Sequence, residues 1–362
     1  MINNSQIKAM IILRNRGDNL FSQLTVELLR EISEVGQNSD SDFEKAIKHV
    51  ARGELSEVKA VLEEASRMED KTKLKKLLLL SGTVVTRCGL IVKCKTLLEC
   101  ALGEGDREMI EMIKSYFPMF VNGKNEMEKQ LERYRPCIEA MQNQKPEDLT
   151  WLFDIIKKSP AKDVLAELAE GNEYDVNYQS ELRTALNKFR EQKLDPKVRV
   201  ITKPRMHCNY QNLRHAYDML DALKELSDWD DYCLKVGLVS MQVIGWIQLI
   251  ELPAYERYLF ARGQVESEAA GKKIEVERNV NYKHGTGSFP DFDEAFIKSH
   301  SGLGFGVYSS ISGLPCKGGH SILGVLSQSQ SCVTRLMSNK NLRLAELMPQ
   351  HPKPKTGWCM IV

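Results

Sequence analysis

The chain has 362 residues, of which 50 are Lys or Arg and 49 are Asp or Glu, so its formal net charge near neutral pH is +1. This balance argues against a nucleic-acid-binding protein, because such proteins usually carry a marked basic excess. A hydrophobic content of 42% over this length is enough for a folded core, and we expect two or three domains.

The beginning of the sequence lacks the basic and apolar regions of a secretory signal peptide. The longest mainly apolar run, Leu238 to Ile250, covers 13 residues and is interrupted by polar side chains. It is too short to span a bilayer, which needs about 20 apolar residues. We therefore expect no general secretory export, and membrane contact only through the end of the chain.

The first predicted element is an amphipathic helix over residues 20–35, with Leu24, Leu28, Ile32 and Val35 on one face. The stretch from Leu24 to Ile32 also resembles the opening of an F-box, which would make the protein a ubiquitin-ligase adaptor. Little more than one helix fits before residue 46, so an ordinary packing helix is the preferred interpretation.

Two helix-turn-helix units follow, each with a glycine between two short apolar helices. The first covers residues 46–63 and turns at Gly53, and the second covers residues 96–113 and turns at Gly105. Their pattern is typical of ankyrin-like units, which stack and usually bind proteins. The glycines are 52 residues apart, so we predict two degenerate units with an insertion rather than a regular array. An ordinary helical bundle is the alternative.

The insertion, residues 81–93, is rich in β-branched residues around Gly89 and predicts a small hairpin. Amphipathic helices are predicted after it, and a largely apolar stretch, Val236 to Leu252, should lie in the centre of a domain. The predicted helices cover about residues 124–142, 147–157, 160–170 and 178–192.

Between about residues 278 and 333 the composition changes to Gly, Ser and aromatic residues, which indicates loops with one or two strands. Here Cys316 and His320 are separated by only three residues, and this pair is the candidate site of a cysteine-dependent hydrolase or transferase. The preferred interpretation is a loop cysteine and a surface histidine, so catalysis is an alternative rather than the main prediction.

The nine cysteines show no Cys-x-x-Cys spacing. In a reducing compartment most of them are expected to be small apolar core residues. Cys88, Cys94 and Cys100 recur every six residues, which matches no common zinc arrangement. We therefore predict neither a metal site nor a cofactor.

The last four residues, Cys359-Met-Ile-Val362, match a C-a-a-X box, in which a prenyl transferase attaches an isoprenoid to the cysteine. The preceding segment is rich in proline and should be extended and accessible. Lys353 and Lys355 would lie near the membrane, and Arg335, Lys340 and Arg343 add positive charge upstream. The final valine does not indicate whether the isoprenoid is a farnesyl or a geranylgeranyl group.

Several phrases resemble a family of effectors that Legionella-type intracellular bacteria deliver into host cells by type IV secretion. They are found at residues 82–106, 199–210, 244–257 and 301–305, and the similarity covers roughly residues 45–310. The resemblance implies a mainly helical, ankyrin-like effector in the host cytosol. Bacteria lack such prenyl transferases, so host enzymes would modify Cys359.

Together these observations predict a mainly α fold: stacked ankyrin-like helix pairs, then a helical domain with a Gly/Ser-rich, partly β segment. The predicted domains are residues 1–40, 41–200 and 201–335, with a flexible tail over 336–362. The predicted function is a translocated, prenyl-anchored interaction module at the cytosolic face of host membranes. Its partners would be a host prenyl transferase, an unidentified host protein and the membrane, but no nucleic acid.

Overall fold

The computed structural model describes residues 41–168, 177–194, 199–226, 228–261, 270, 278, 280–282, 285–287 and 322–349. Within these residues the protein is mainly helical, which confirms the predicted fold class. The first part consists of α1 Ser41–Ala51, α2 Leu55–Arg67, α3 Thr72–Leu79, β1 Gly82–Val85, β2 Ile91–Lys95, α4 Leu97–Glu104, α5 Arg107–Tyr116, a 3-10 turn Phe117–Met119 and α6 Gly123–Ala140.

The second part begins with a 3-10 turn, Met141–Asn143, and is also built mainly from helices. Its elements are α7 Thr150–Lys158, α8 Ala161–Leu168, α9 Glu181–Leu194, β3 Val200–Ile201, α10 Tyr210–Asp221, a 3-10 turn Ala222–Glu225, α11 Trp229–Leu238, a π-helical turn Val239–Ile244, α12 Gly245–Glu251, α13 Ala254–Ala261, β4 Val280–Tyr282, β5 Gly285–Gly287 and α14 Ile322–Glu346.

The two predicted helix pairs are present and stacked. Helix α1 packs against α2, α4 packs against α5, and the pairs meet through α1 with α4 and α2 with α5. Gly53 and Gly105, with φ angles of 68° and 66°, form the turns in the left-handed region that glycine tolerates best. The sequence pattern therefore predicts both the pairs and their turns.

The predicted hairpin is confirmed as β1 and β2, an antiparallel pair in which Val84 faces Val92. Gly89, with a φ of 79°, lies in the connection between the strands. Strand β3 adds a parallel partner, because Val92 pairs with Ile201. The insertion between the helix pairs thus joins them to a segment more than 100 residues further along the chain.

Buried apolar side chains from α1 to Met348 form one continuous core. Trp246, on α12, is 1% exposed, and the neighbouring Val243, Ile247 and Ile250 are buried with it. This agrees with the central position predicted for the apolar stretch 236–252. Helix α14 contacts α6 and α10, so the far end of the chain also packs on the first half.

The predicted start of the flexible tail at residue 336 is not what the structure shows. Residues 336–346 belong to α14, and Leu336, Leu344 and Met348 are buried in the core. The apolar spacing on this helix allows it to pack, whereas the proline-rich composition begins only at Pro349. Residues 350–362 lie outside the described residues.

Candidate functional site

None of the site residues predicted from the sequence belongs to the part of the chain that the structure describes. Cys316 and His320 lie outside it, as do the lipidation residue Cys359 and the basic residues Lys353 and Lys355. The F-box-like helix at residues 24–35 is also outside the described residues. Their roles remain predictions from the sequence.

The described residues instead contain a buried cluster of ionisable side chains at the turns of the two helix pairs. We call it the turn cluster, and it consists of Glu104, Asp106, His207, Tyr210, Glu256, Arg278 and Lys340. Five of its members come from the chain after residue 205, one of them from α14, so it joins the far part of the sequence to the helix pairs.

Local capping fixes the acidic members of the turn cluster. Thr96 and Glu99 form a capping box at the start of α4, which ends at Gly105. Asp106 then begins α5, and its carboxylate accepts a hydrogen bond of 3.1 Å from the backbone N–H of Met109. Glu104 and Asp106 flank Gly105 in the sequence, so both carboxylates belong to the turn between α4 and α5.

Arg278 connects the turns of both helix pairs. Its guanidinium lies 2.6 Å from the carboxylate of Asp106 and 2.9 Å from that of Glu108, and it donates a hydrogen bond of 2.7 Å to the carbonyl of Gly53. It also stacks on Tyr255, 5.4 Å from the ring centre. Burial disfavours the charged guanidinium, but Asp106 and Glu108 outweigh burial and raise the pKa of Arg278.

His207 and Glu104 form a second pair in the turn cluster, with 2.8 Å between the imidazole Nδ1 and a carboxylate oxygen. The backbone N–H of His207 donates a hydrogen bond of 2.8 Å to Gly103. A Cβ atom on Gly103 would lie 2.2 Å from His207 Nε2, so a glycine is required for this close approach. Nε2 itself is buried and has no hydrogen-bond partner among the described residues.

Lys340, on α14, enters the turn cluster from the other side. Its ammonium forms an ion pair with Glu256, donates to the hydroxyl of Tyr210 and lies 4.8 Å from the centre of the tyrosine ring. Burial lowers the pKa of Lys340 to about 7, although the acidic groups nearby oppose this shift. The sequence places Lys340 among the residues that add positive charge near the lipid site, whereas in the structure its side chain is buried in the turn cluster.

A second buried network lies beside the turn cluster. Lys193 pairs with Glu251 and lies 2.7 Å from Glu147, and Asn212 donates a hydrogen bond of 2.8 Å to Glu251. Burial raises the pKa of Glu251, while Lys193 and Asn212 counteract it. This network ties α9, α10 and α12 together in the same way that the turn cluster ties the helix pairs to the rest of the molecule.

The chemistry of these groups favours a structural role over catalysis. The carboxylates and cations are paired with one another, and burial raises the pKa of the neighbouring Cys208 thiol, which keeps it protonated and a poor nucleophile. Cys88 and Cys100 are buried and Cys94 is exposed. Among the described residues, no three His, Cys, Asp or Glu side chains are grouped to hold a metal ion.

The turn cluster is not predicted by the sequence. Its visible signal is Gly103-Glu-Gly-Asp106, in which glycines alternate with acidic residues at a helix end. Such a turn can approach other groups closely, but nothing in the sequence indicates which ones. The partners are distant in sequence: His207 is 103 positions from Glu104, Arg278 is 172 from Asp106, and Lys340 is 130 from Tyr210.

Comparisons with protein-family models, with curated protein sequences and with solved structures find no match to this chain. In the described part of the chain, no helix combines the length and apolar character needed to cross a bilayer.

Proposed function

We propose that the protein is an interaction module that host prenylation of Cys359 anchors to the cytosolic face of a host membrane. It would enter the host cell as a translocated effector, as its resemblance to Legionella-type effectors implies. The stacked helix pairs supply a rigid body of the kind that binds other proteins, and the C-a-a-X box supplies the anchor. The host protein that it binds is unidentified.

The observation that carries this proposal is that residues 347–349, shortly before the C-a-a-X box, are bound to α5 and α6. Lys114, on α5, donates a hydrogen bond of 2.8 Å to the carbonyl of Leu347, and Arg135, on α6, donates one to the carbonyl of Pro349. Met348, between them, is buried. The chain is therefore held against α5 and α6 as far as Pro349.

Cys359 follows Pro349 by ten residues. Fully extended, ten residues span at most about 33–36 Å, so a lipid on Cys359 would hold the body close to the bilayer. The anchor would also restrict which side of the body faces the membrane. An interaction module gains from this arrangement, because a tethered partner meets it at a raised effective concentration.

The turns of the helix pairs are not the protein-binding surface that we propose. Gly53 is covered by Ala254 and Arg278, and Gly105 is covered by Lys340 and Met206. Helices α2 and α5 bury one face and present charged side chains on the other. These outer faces are available to a host protein while the turns are occupied by the chain itself.

Expression of the full chain in eukaryotic cells, followed by membrane fractionation, tests the proposal. We expect the wild-type protein in the membrane fraction and the Cys359→Ser variant in the cytosol. Cys94→Ser is the matched control, because Cys94 is an exposed thiol within the body and should not affect fractionation. Membrane recovery of Cys359→Ser equal to that of the wild type would reject the anchor.

A further inference from the structure

The connection between α5 and α6 contains an apolar segment, Phe117-Pro-Met-Phe-Val121, that exposes much of its hydrophobic surface after Phe117. Phe117 is fully buried, and its ring centre lies 5.9 Å from that of Phe120, which is half-buried. Met119 is 46% exposed and Val121 is 83% exposed. We call residues 118–121 the apolar turn. Consecutive exposed apolar residues on a folded protein usually mark a contact surface.

The backbone holds the apolar turn in this exposed position. Asn122 has a φ of 63°, in the left-handed region, and the N–H of Gly123 donates a hydrogen bond of 3.1 Å to Phe120. A Cβ atom on Gly123 would lie 1.8 Å from the carbonyl oxygen of Phe117, so only glycine fits there. The exposure of Val121 is thus a consequence of a fixed turn anchored by buried Phe117.

The apolar turn lies between the same two helices that hold the start of the tail. Lys114, which binds the carbonyl of Leu347, is three residues before Phe117 on α5, and α6, which carries Arg135, begins at Gly123. The lipid attachment residue follows Pro349 by ten residues, a span of at most about 33–36 Å. A bilayer that received the lipid would therefore be within reach of the apolar turn.

We propose that Met119, Phe120 and Val121 insert into the bilayer interface as a second membrane contact beside the lipid on Cys359. The inference rests on the proposed function, because one lipid chain binds membranes only marginally and stable anchoring requires a second signal. Two lysines in the tail make a thin basic patch. The apolar turn supplies hydrophobic area instead, and the exposed Lys124, three residues after Val121, adds a positive charge that anionic headgroups would attract.

The test uses the full chain with a polyhistidine tag after Val362, bound to phosphatidylcholine vesicles that contain a nickel-chelating lipid. The tag replaces the isoprenoid, so a failure of prenylation does not affect this experiment. Val121→Trp places a fluorescent reporter in the apolar turn. Leu165→Trp is the matched control, because Leu165 is an exposed apolar residue, 53% accessible, on α8.

Brominated lipids quench tryptophan that enters the bilayer. After subtraction of the wild-type signal, we expect the Val121→Trp emission to be quenched at least about twofold more strongly than the Leu165→Trp emission. Equal quenching of the two reporters would overturn the proposal and would leave the apolar turn as a contact for a protein. The Cys359→Ser fractionation would separately decide whether the lipid anchor exists.

Val121→Asp provides an independent readout with the same tethered protein. Removal of the tether by imidazole should release this variant from vesicles at least about threefold faster than the wild type or Leu165→Asp, because an aspartate resists transfer into the interface. Identical release rates for all three proteins would contradict insertion of the apolar turn.

Discussion

Arg278 and Asp106 form a largely buried ion pair of 2.6 Å across 172 positions of sequence. The guanidinium also reaches Glu108 and the carbonyl of Gly53, so one side chain joins the turns of both helix pairs. In an ankyrin-like protein these turns are commonly open to partners. Here the chain's own later segment occupies them, which makes the two helix pairs part of a larger packed body.

Removal of the Arg278 side chain tests whether this ion pair stabilises the fold. Arg278→Met removes the cation that pairs with Asp106, and breaking one side of a buried pair typically costs about 3–5 kcal/mol. We expect the free energy of unfolding in urea to fall by about that amount. Arg107→Met is the control, because Arg107 and Glu111 form an exposed pair worth less than about 1 kcal/mol. A similar, small effect of both substitutions would contradict a stabilising role for Arg278.

The close approach of His207 to Gly103 predicts opposite effects of two glycine substitutions. Gly103→Ala places a Cβ atom against the imidazole and should displace the His207–Glu104 pair, with a loss of about 2–3 kcal/mol. Gly237→Ala, in α11, meets nothing within 4 Å and should stabilise the protein by about 0.5–1 kcal/mol. Thermal unfolding distinguishes the two outcomes, and an equal tolerance of alanine at both positions would refute the packing at Gly103.

Lys340 predicts a specific dependence of stability on pH. Its pKa is lowered to about 7 in the folded protein, whereas an unfolded lysine titrates near 10.5. Between these values the unfolded chain binds more protons than the folded one, so Lys340 makes stability rise with pH. Below about pH 7 both states hold the proton, and the full cost of burying the charge applies.

Urea unfolding of the wild type and of Lys340→Met at several pH values between 7 and 10 measures this contribution. As the pH rises, the free energy of unfolding of the wild type should increase relative to that of Lys340→Met by up to about 1.4 kcal/mol per pH unit. Arg343→Met, on the same helix, is a control whose difference from the wild type should not depend on pH over this range, because arginine stays charged. A constant difference for Lys340→Met would show that the buried ammonium does not titrate there.

Much of the local structure could be predicted from the sequence, because local signals determine it. The period of the apolar residues predicts the helices after residue 123, and Gly53, Gly89 and Gly105 mark turns that the structure contains. The β-branched residues around Gly89 predict the hairpin. Each of these features depends on residues that are close together in the chain.

The turn cluster could not be predicted, because its members are far apart in sequence. Lys340 shows why: a lysine near a basic, proline-rich end suggests exposure, yet α14 packs on α10 and places this side chain against Tyr210. The tail likewise begins later than its composition suggested, since Leu344 and Met348 are buried. Charge and polarity describe a residue but do not identify the surface that covers it.

The mass of the C-terminal peptide, taken from protein recovered from eukaryotic cell membranes, tests the prenyl anchor most sharply. We expect an isoprenoid on Cys359, and a prenyl transferase inhibitor should abolish both this modification and the membrane recovery. An unmodified Cys359 in protein taken from the membrane fraction would reject prenylation as the anchor.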